Sequence, residues 1–365
     1  MKCSKALATI DAQACTEQRC ILPRNPREKR LLTRRCSAGA LTRLYPGLYM
    51  HPQYLAQLNP FERKMHLVRA LHLLHKQWVF AGSTAACIHD LQIPYMALGS
   101  KIHIASPSKP HHNDCAQLQR IHNLNAEWDF VNGVPVTSLT RTAVDDVNTM
   151  EDCCAITVLD SCLRAGVGEE DLLAACSLPN DNVNLLRAML PYTTIASENG
   201  GEAYTHAVIT FRLGFARPRQ QVEIVDPLTR RIYRTDYYWE TEDGLIIVGE
   251  LDGEQKYTDP SMTRGRSVSE VIDAEREREA ALRRAGVDVI ARFTFSDVLN
   301  GESLRRKTQT GSRTSRVAYR HPQLRSGQRL SSGSPLRKRR QMGTLDVSNC
   351  AGKQSKSPYP QIPSA

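Results

Sequence analysis

Residues 234–257 read RTDYYWETEDGLIIVGELDGEQKY. Two apolar-rich runs flank the turn ETEDG, which is the pattern of a β-hairpin. Strand interiors are depleted in acidic residues, yet Asp236, Glu250 and Asp252 lie within these runs and Lys256 just past them. Side chains alternate along a strand, so Glu250 and Asp252 share a face. An antiparallel partner brings Asp236 beside Glu250. Adjacent carboxylates repel each other unless a cation lies between them, and hard oxygen donors suit Mg²⁺ or Mn²⁺. Such an ion polarises a phosphodiester oxygen and lowers the pKa of a bound water. Lys256 is placed to orient that water or to meet developing negative charge. For the hairpin alone, the competing reading is a pair of ordinary acidic turns.

The flanking sequence gives the hairpin a context. SENGGEAYTHAVITFRLG (197–214) reads as a helix capped by Ser197 and ended by Gly214, with Glu202 near its start. QQVEIV is a strand and DPLT a turn. SVSEVIDAEREREAALRRAG (267–286) is a second helix, with a capping box at Ser267 and Glu270 and a terminal Gly286. VDVIARF is a further strand and SDVLNGESL a short helix. The expected order is α-β-β-β-α-β. Arg278 shares an apolar stripe with Val271, Ala274, Ala281 and Ala285. An arginine there is expected to pair with a buried carboxylate or a phosphate.

Residues 195–302 resemble the PD-(D/E)XK nuclease superfamily, and within it the bacterial family related to the very-short-patch repair endonuclease. The resemblance rests on Ser197 and Glu202, Gln220, Asp236, Glu250-Leu251-Asp252-Gly253 with Lys256, the run Glu275 to Glu279 around Arg278, and Arg292-Phe293. It implies a restriction-endonuclease-like core that hydrolyses DNA phosphodiesters with Mg²⁺ or Mn²⁺. Asp236, Glu250 and Asp252 would be metal ligands, Lys256 would act on the attacking water, and Glu202 and Arg278 would support the site. The superfamily places its lysine two residues after the second acid, where this chain has Asp252; the related family shares that departure.

Before this region, PREKRLLTRRCSAG (26–39) reads as a basic helix with Pro26 in its first turn. ALTRLYPGLYM (40–50) reads as a small hairpin around Pro-Gly. A basic helix followed by a hairpin is the outline of a winged helix-turn-helix, with Arg34, Arg35 and Arg43 toward DNA. LTRLYPGLYM resembles the wing of the AbiEi-type antitoxin. GSTAACIHDLQIP and TSLTRTAVDDV resemble segments that follow it in actinobacterial proteins. That resemblance implies a second function, a DNA-binding regulator or antitoxin with a toxin partner and an inactive nuclease fold.

The middle, 53–193, reads as mixed α+β. NPFERKMHLVRALHLLHKQW (59–78) is a helix capped by Asn59, whose histidines read as structural or surface groups. Asp145 and Asp146 read as surface or capping carboxylates. From 301 onward lie 14 Lys and Arg against 2 Asp and Glu, leaving 34 and 36 in the rest. The +10 net charge therefore belongs to the tail, which contains Ser, Arg, Gly, Pro and Gln without periodicity and reads as disordered.

The eleven cysteines contain no CxxC pair and fit reduced core packing. No apolar run is long enough to span a membrane and the N-terminus lacks a signal-peptide core, so the expectation is a cytoplasmic protein. The fold class expected is α/β (mixed): a winged-helix-like module at 1–52, a mixed middle domain at 53–193, the nuclease-like core at 195–302 and a disordered basic tail at 304–365.

Overall fold

The computed structural model describes residues 5–107, 115–123, 127–252 and 268–309. Lys256, the Ser267 half of the expected capping box and the tail past 309 lie outside these residues.

Two helices and a hairpin come first. α1 (Lys5–Thr16) and α2 (Pro26–Ser37) pack against β1 (Thr42–Tyr45) and β2 (Leu48–Met50) around Ile10, Ala14, Ile21, Leu32, Leu41 and Tyr49. The Asn25 side chain accepts the Glu28 N–H at 2.9 Å and Pro26 fills the first turn of α2. Gly47, at φ +78°, turns the hairpin, where a side chain would be strained. α3 (Pro52–Gln57) was not expected; its six residues offer no apolar period, and only Pro52 marks its start. α4 (Pro60–Leu74) starts with the full capping box that Asn59 and Glu62 foretell.

A five-stranded sheet follows: β3 (Val79–Phe80), α5 (Gly82–Ile88), β4 (Ile102–Ser106), β5 (Leu118–His122), β6 (Trp128–Val131) and β7 (Val134–Thr137). The strand order is β5-β4-β3-β7-β6. Phe80, Ile102, Ile104, Val134 and Val136 share one core with Val68 and Leu71 of α4 and with Tyr45, Leu48 and Met50 of the first hairpin. Ser83 does not cap α5. Its hydroxyl donates instead to the Leu98 carbonyl at 3.1 Å, and the cap position is Ala81.

α6 (Leu139–Thr149), α7 (Asp152–Arg164), α8 (Glu169–Ala174) and α9 (Val183–Met189) come next. Here Asp145 and Asp146 correct the sequence reading, for both are buried. α6 is covered on more than one side, so polar residues on it are enclosed. Arg141 answers Asp145 at 2.8 Å and holds Asp181 through two bonds of 2.8 Å. Among the described residues Asp146 finds no hydrogen-bond partner for either oxygen. Burial pushes its carboxyl well above the ordinary range, with the Asp145 charge adding to the push.

The C-terminal part contains α10 (Gly200–Ala207), continued by a π-helical turn over Val208–Arg212, then β8 (Arg219–Val225), β9 (Ile232–Glu240), β10 (Ile246–Asp252), α11 (Val268–Arg284), β11 (Val289–Thr294), α12 (Phe295–Leu299) and α13 (Gly301–Gln309). The order α-β-β-β-α-β is present. β8, β9 and β10 form an antiparallel meander, and β11 returns parallel to β10 after α11, giving the order β11-β10-β9-β8. A parallel neighbour requires such a crossover.

One face of this sheet, with Tyr237, Trp239, Ile247 and Phe293, packs on Tyr204 and Ala207 of α10, on α7, and on Val298 and Leu304. The other face presents Val248 to Leu282 and Val287. Two local expectations change. Asn199, not Ser197, caps α10, accepting the Gly201 and Glu202 N–H groups at 2.9 and 3.0 Å. α13 runs to Gln309 and buries Leu304, so ordered chain passes the 304 boundary expected for the tail. Among the described residues no helix is long and apolar enough to cross a membrane.

Two stability measurements test this packing. A Cβ on Gly200 would lie 2.3 Å from the Ile93 backbone carbon, whereas one on Gly201 would meet side chains alone, Asn199 at 3.1 Å and Leu251 at 3.8 Å. Gly200→Ala should cost about 3 kcal/mol in urea denaturation, and Gly201→Ala much less. For Asp146, a folded-state pKa raised above the unfolded value means stability is lost as pH rises through it. The Asp146 contribution should fall with rising pH by at most ~1.4 kcal/mol per pH unit, and Asp146→Asn should flatten the parent's slope by up to that amount.

Candidate active site

Pairing between β9 and β10 runs from Ile246↔Glu240 to Gly249↔Tyr237 and stops. The next residues in line are Glu250 and Asp236. In place of another ladder bond, Asp236 Oδ2 accepts the Leu251 N–H at 2.9 Å. A side-chain carboxylate thus stands where a backbone carbonyl would satisfy the strand. On the other side, β8 pairs Gln220↔Tyr237 and Val222↔Thr235, passing over Gln221, whose φ is +54°. On the far side, β10 pairs Glu250↔Arg292 and Asp252↔Thr294. Gln221, Asp236, Glu250 and Arg292 therefore form one row across four strands.

Gly249 explains how the row is supported from beneath. A Cβ there would lie 3.1 to 3.3 Å from Trp239, Phe293 and Tyr237. The glycine lets these aromatic side chains close under the sheet.

Glu250 is buried. Arg278 brackets it as expected: Nε donates to Oε2 at 3.1 Å and Nη2 to Oε1 at 2.6 Å, and Nη2 also reaches the Arg234 carbonyl at 2.6 Å. Burial pushes the Glu250 carboxyl upward. Arg278 opposes that push, and the Asp236 charge reinforces it. Arg278 is also 5.9 Å from the Tyr233 ring centroid. A second pair, Arg292 with Glu275 at 2.5 Å, lies at the same end of the sheet. Asp252 is half-buried at the last described residue of β10, and its charge acts on Arg292.

Glu202 joins the row from α10. Its Oε2 accepts Gln221 Nε2 at 3.0 Å and the Glu198 N–H at 2.8 Å, and its Oε1 accepts Asn199 Nδ2 at 2.6 Å. Burial raises its carboxyl. Gln221 is the residue that the sequence did not single out. Gln220, quoted for the resemblance, instead donates to Ser197 Oγ and accepts from Thr194 Oγ1, each at 2.8 Å, fixing the segment before α10. The two adjacent glutamines look alike in sequence, and only the backbone turn at Gln221 separates their roles.

The structure thus brings Asp236, Glu250 and Arg278 together, with Glu202 joined only through Gln221 and Asp252 at the edge. Lys256 lies outside the described residues. Among those residues, no group of three or more His, Cys, Asp or Glu is arranged to hold a metal ion. A cavity of about 360 Å³ opens elsewhere, between β8 and the end of α11, lined by Arg219, Val222, Tyr238 and Ala285 among others. Neither Asp236 nor Glu250 lines it. In the N-terminal unit, Arg34 and Arg43 are exposed, while Arg35 is half-buried with its Nε enclosed and unpartnered. Comparison with protein-family models, with curated proteins and with solved structures gives no match.

The Arg278–Glu250 pair makes a measurable claim. Arg278→Gln leaves a buried carboxylate without its cation and should cost ~2 kcal/mol near pH 7, the Arg278 side chain being partly exposed. Glu250 in that variant has a still higher pKa, so stability is present at low pH and lost as pH rises through it. Urea denaturation should show the deficit shrinking toward pH 5. Adding Glu250→Gln should relieve part of it at pH 7.

Proposed function

We propose that this chain is a divalent-metal-dependent DNA endonuclease whose chemistry lies at the parting of β9 and β10. The observation that carries the reading is Asp236 opposite Glu250 where the ladder stops, with Arg278 across Glu250 and Glu202 tied in through Gln221. Mg²⁺ is commonly held by one or two carboxylates together with water and substrate phosphate, so a site with few protein ligands fits it. Asp236 and Glu250 would hold the ion and Asp252 would assist. When bound, it would supply Lewis-acid polarisation of the phosphate and a water of lowered pKa.

The chain's own groups have distinct tasks. Arg278 presents a planar fork that matches a phosphate as well as a carboxylate. Glu202, through Gln221, fixes the strand beside Asp236. Lys256 is assigned to the attacking water, following the resemblance.

A specific observation favours a second reading. Both Glu250 oxygens are engaged by Arg278, which is how a site devoted to structure would neutralise a buried acid. Arg27, Arg30 and Arg34 are exposed at helical spacing on α2, beside Arg43 on the hairpin. A DNA-binding regulator of AbiEi type, with a toxin partner, would use that surface and leave the carboxylates inert.

Incubation of the full chain with supercoiled and linear DNA in Mg²⁺, Mn²⁺ or EDTA separates the two. Metal-dependent cutting that falls at least about 100-fold in Asp236→Asn and Glu250→Gln is the expected result. Undiminished cutting by Asp236→Asn would remove the assignment. Binding without cutting, weakened by Arg34→Ala with Arg43→Ala, would give the regulator.

A further inference from the structure

The turn between β8 and β9 has an unusual surface. Leu228 is 73% exposed, Ile232 60% and Val225 48%. Pro227 is exposed beside them. Turns normally place polar residues outward, and this one raises an apolar crown.

The crown is held rigidly from below. Asp226 has no exposed surface. Its Oδ1 accepts the Leu228 N–H at 3.0 Å and its Oδ2 the Thr229 hydroxyl at 2.6 Å. Arg284, from the last turn of α11, clamps the same carboxylate at 3.1 and 2.7 Å. The Arg230 N–H closes on the Asp226 carbonyl at 2.9 Å, with Arg230 at φ +61°. A turn fixed this firmly loses little conformational freedom when it meets a partner.

Charge points to the kind of partner. Of the three arginines in residues 227–235, Arg234 pairs with Glu198 and lies across from Glu223, leaving Arg230 and Arg231 to the crown. Arg230 and Arg231 are exposed beside the crown. Apolar Leu, Ile or Pro wedges flanked by basic side chains are the means by which proteins part DNA base steps. Ile232 and Asp236 are four residues apart on β9, at most ~14 Å along the strand, or about four base steps of 3.4 Å.

We propose that Pro227 and Leu228, backed by Val225 and Ile232, form a wedge that enters the DNA base stack about four steps from the phosphate at Asp236 and Glu250. Arg230 and Arg231 hold the flanking backbone. The proposal rests on the nuclease reading for the position of that phosphate; the wedge itself needs only DNA.

The test uses the full chain in EDTA with a fluorescein-labelled duplex containing 2-aminopurine, whose fluorescence rises when its stack opens. The parent should raise the signal at a restricted set of positions. Leu228→Ser with Ile232→Ser should abolish the rise and weaken binding on the order of tenfold, with unchanged circular dichroism. Arg230→Gln with Arg231→Gln should weaken binding and lower its salt dependence.

Duplex bound by the parent without any 2-aminopurine response overturns the wedge. So does a serine variant that binds and unstacks like the parent. So does a serine variant that changes only the oligomeric state in light scattering, which would mark the crown as a protein contact. Parallel cleavage in Mg²⁺ separates the two ideas. Cutting without unstacking removes the wedge alone, unstacking without cutting removes the nuclease reading alone, and no DNA binding at all removes both.

Discussion

The end of the β9–β10 ladder is the constraint around which the C-terminal structure is arranged. Once Asp236 takes the Leu251 N–H with its side chain, its neighbours must accommodate the break. Gln221 adopts a left-handed backbone and sends its amide to Glu202. Glu250, buried beside a second carboxylate, requires a cation, and α11 supplies Arg278. Beneath, Gly249 leaves room for three aromatic side chains to seal the floor. Each feature answers a charge or a missing backbone bond that the break creates. A buried acid left without such an answer would be costly.

Among the described residues, Asp146 is a buried acid answered by no hydrogen bond, only by the more distant charge of Lys64. Both of its oxygens are enclosed and unpartnered among these residues, while Asp145 next to it meets Arg141 through Oδ1 and leaves Oδ2 unpartnered. The two sites handle buried acids differently. Near the row, cationic side chains keep Glu250 paired. In α6, burial drives Asp146 toward its neutral form.

Much of the fold was legible where the local chemistry is unambiguous. The hairpin followed from alternation on either side of ETEDG, and α4 from Asn59, Pro60 and Glu62. The order of six C-terminal elements followed from periodicity and terminal glycines such as Gly214 and Gly286. Sequence failed where neighbours decide. Ser197 and Asn199 are both good caps, and the choice depends on Gln220 claiming the serine. Asp145 and Asp146 read as surface or capping carboxylates because nothing local announces that other helices cover α6. At the site, Asp236, Glu250 and Arg278 were legible as charges out of place on a strand pair and an apolar stripe. Gln221 was not, since glutamine has no preference for positive φ.

The face of the four-stranded sheet opposite α11 shares its core with α7, α10 and the helices that precede them. The five-stranded sheet shares its own core with the first hairpin. The C-terminal sheet is therefore no cassette. Severed near residue 193, it would keep α10 over that face but lose α7 and the rest of the shared core, leaving apolar surface open to water and suited to aggregation rather than to independent life. Recombination that shuffled this sheet alone into another gene would deliver an insoluble product. Inheritance of the middle region and the carboxylate row is thereby tied together, and the two must change in step.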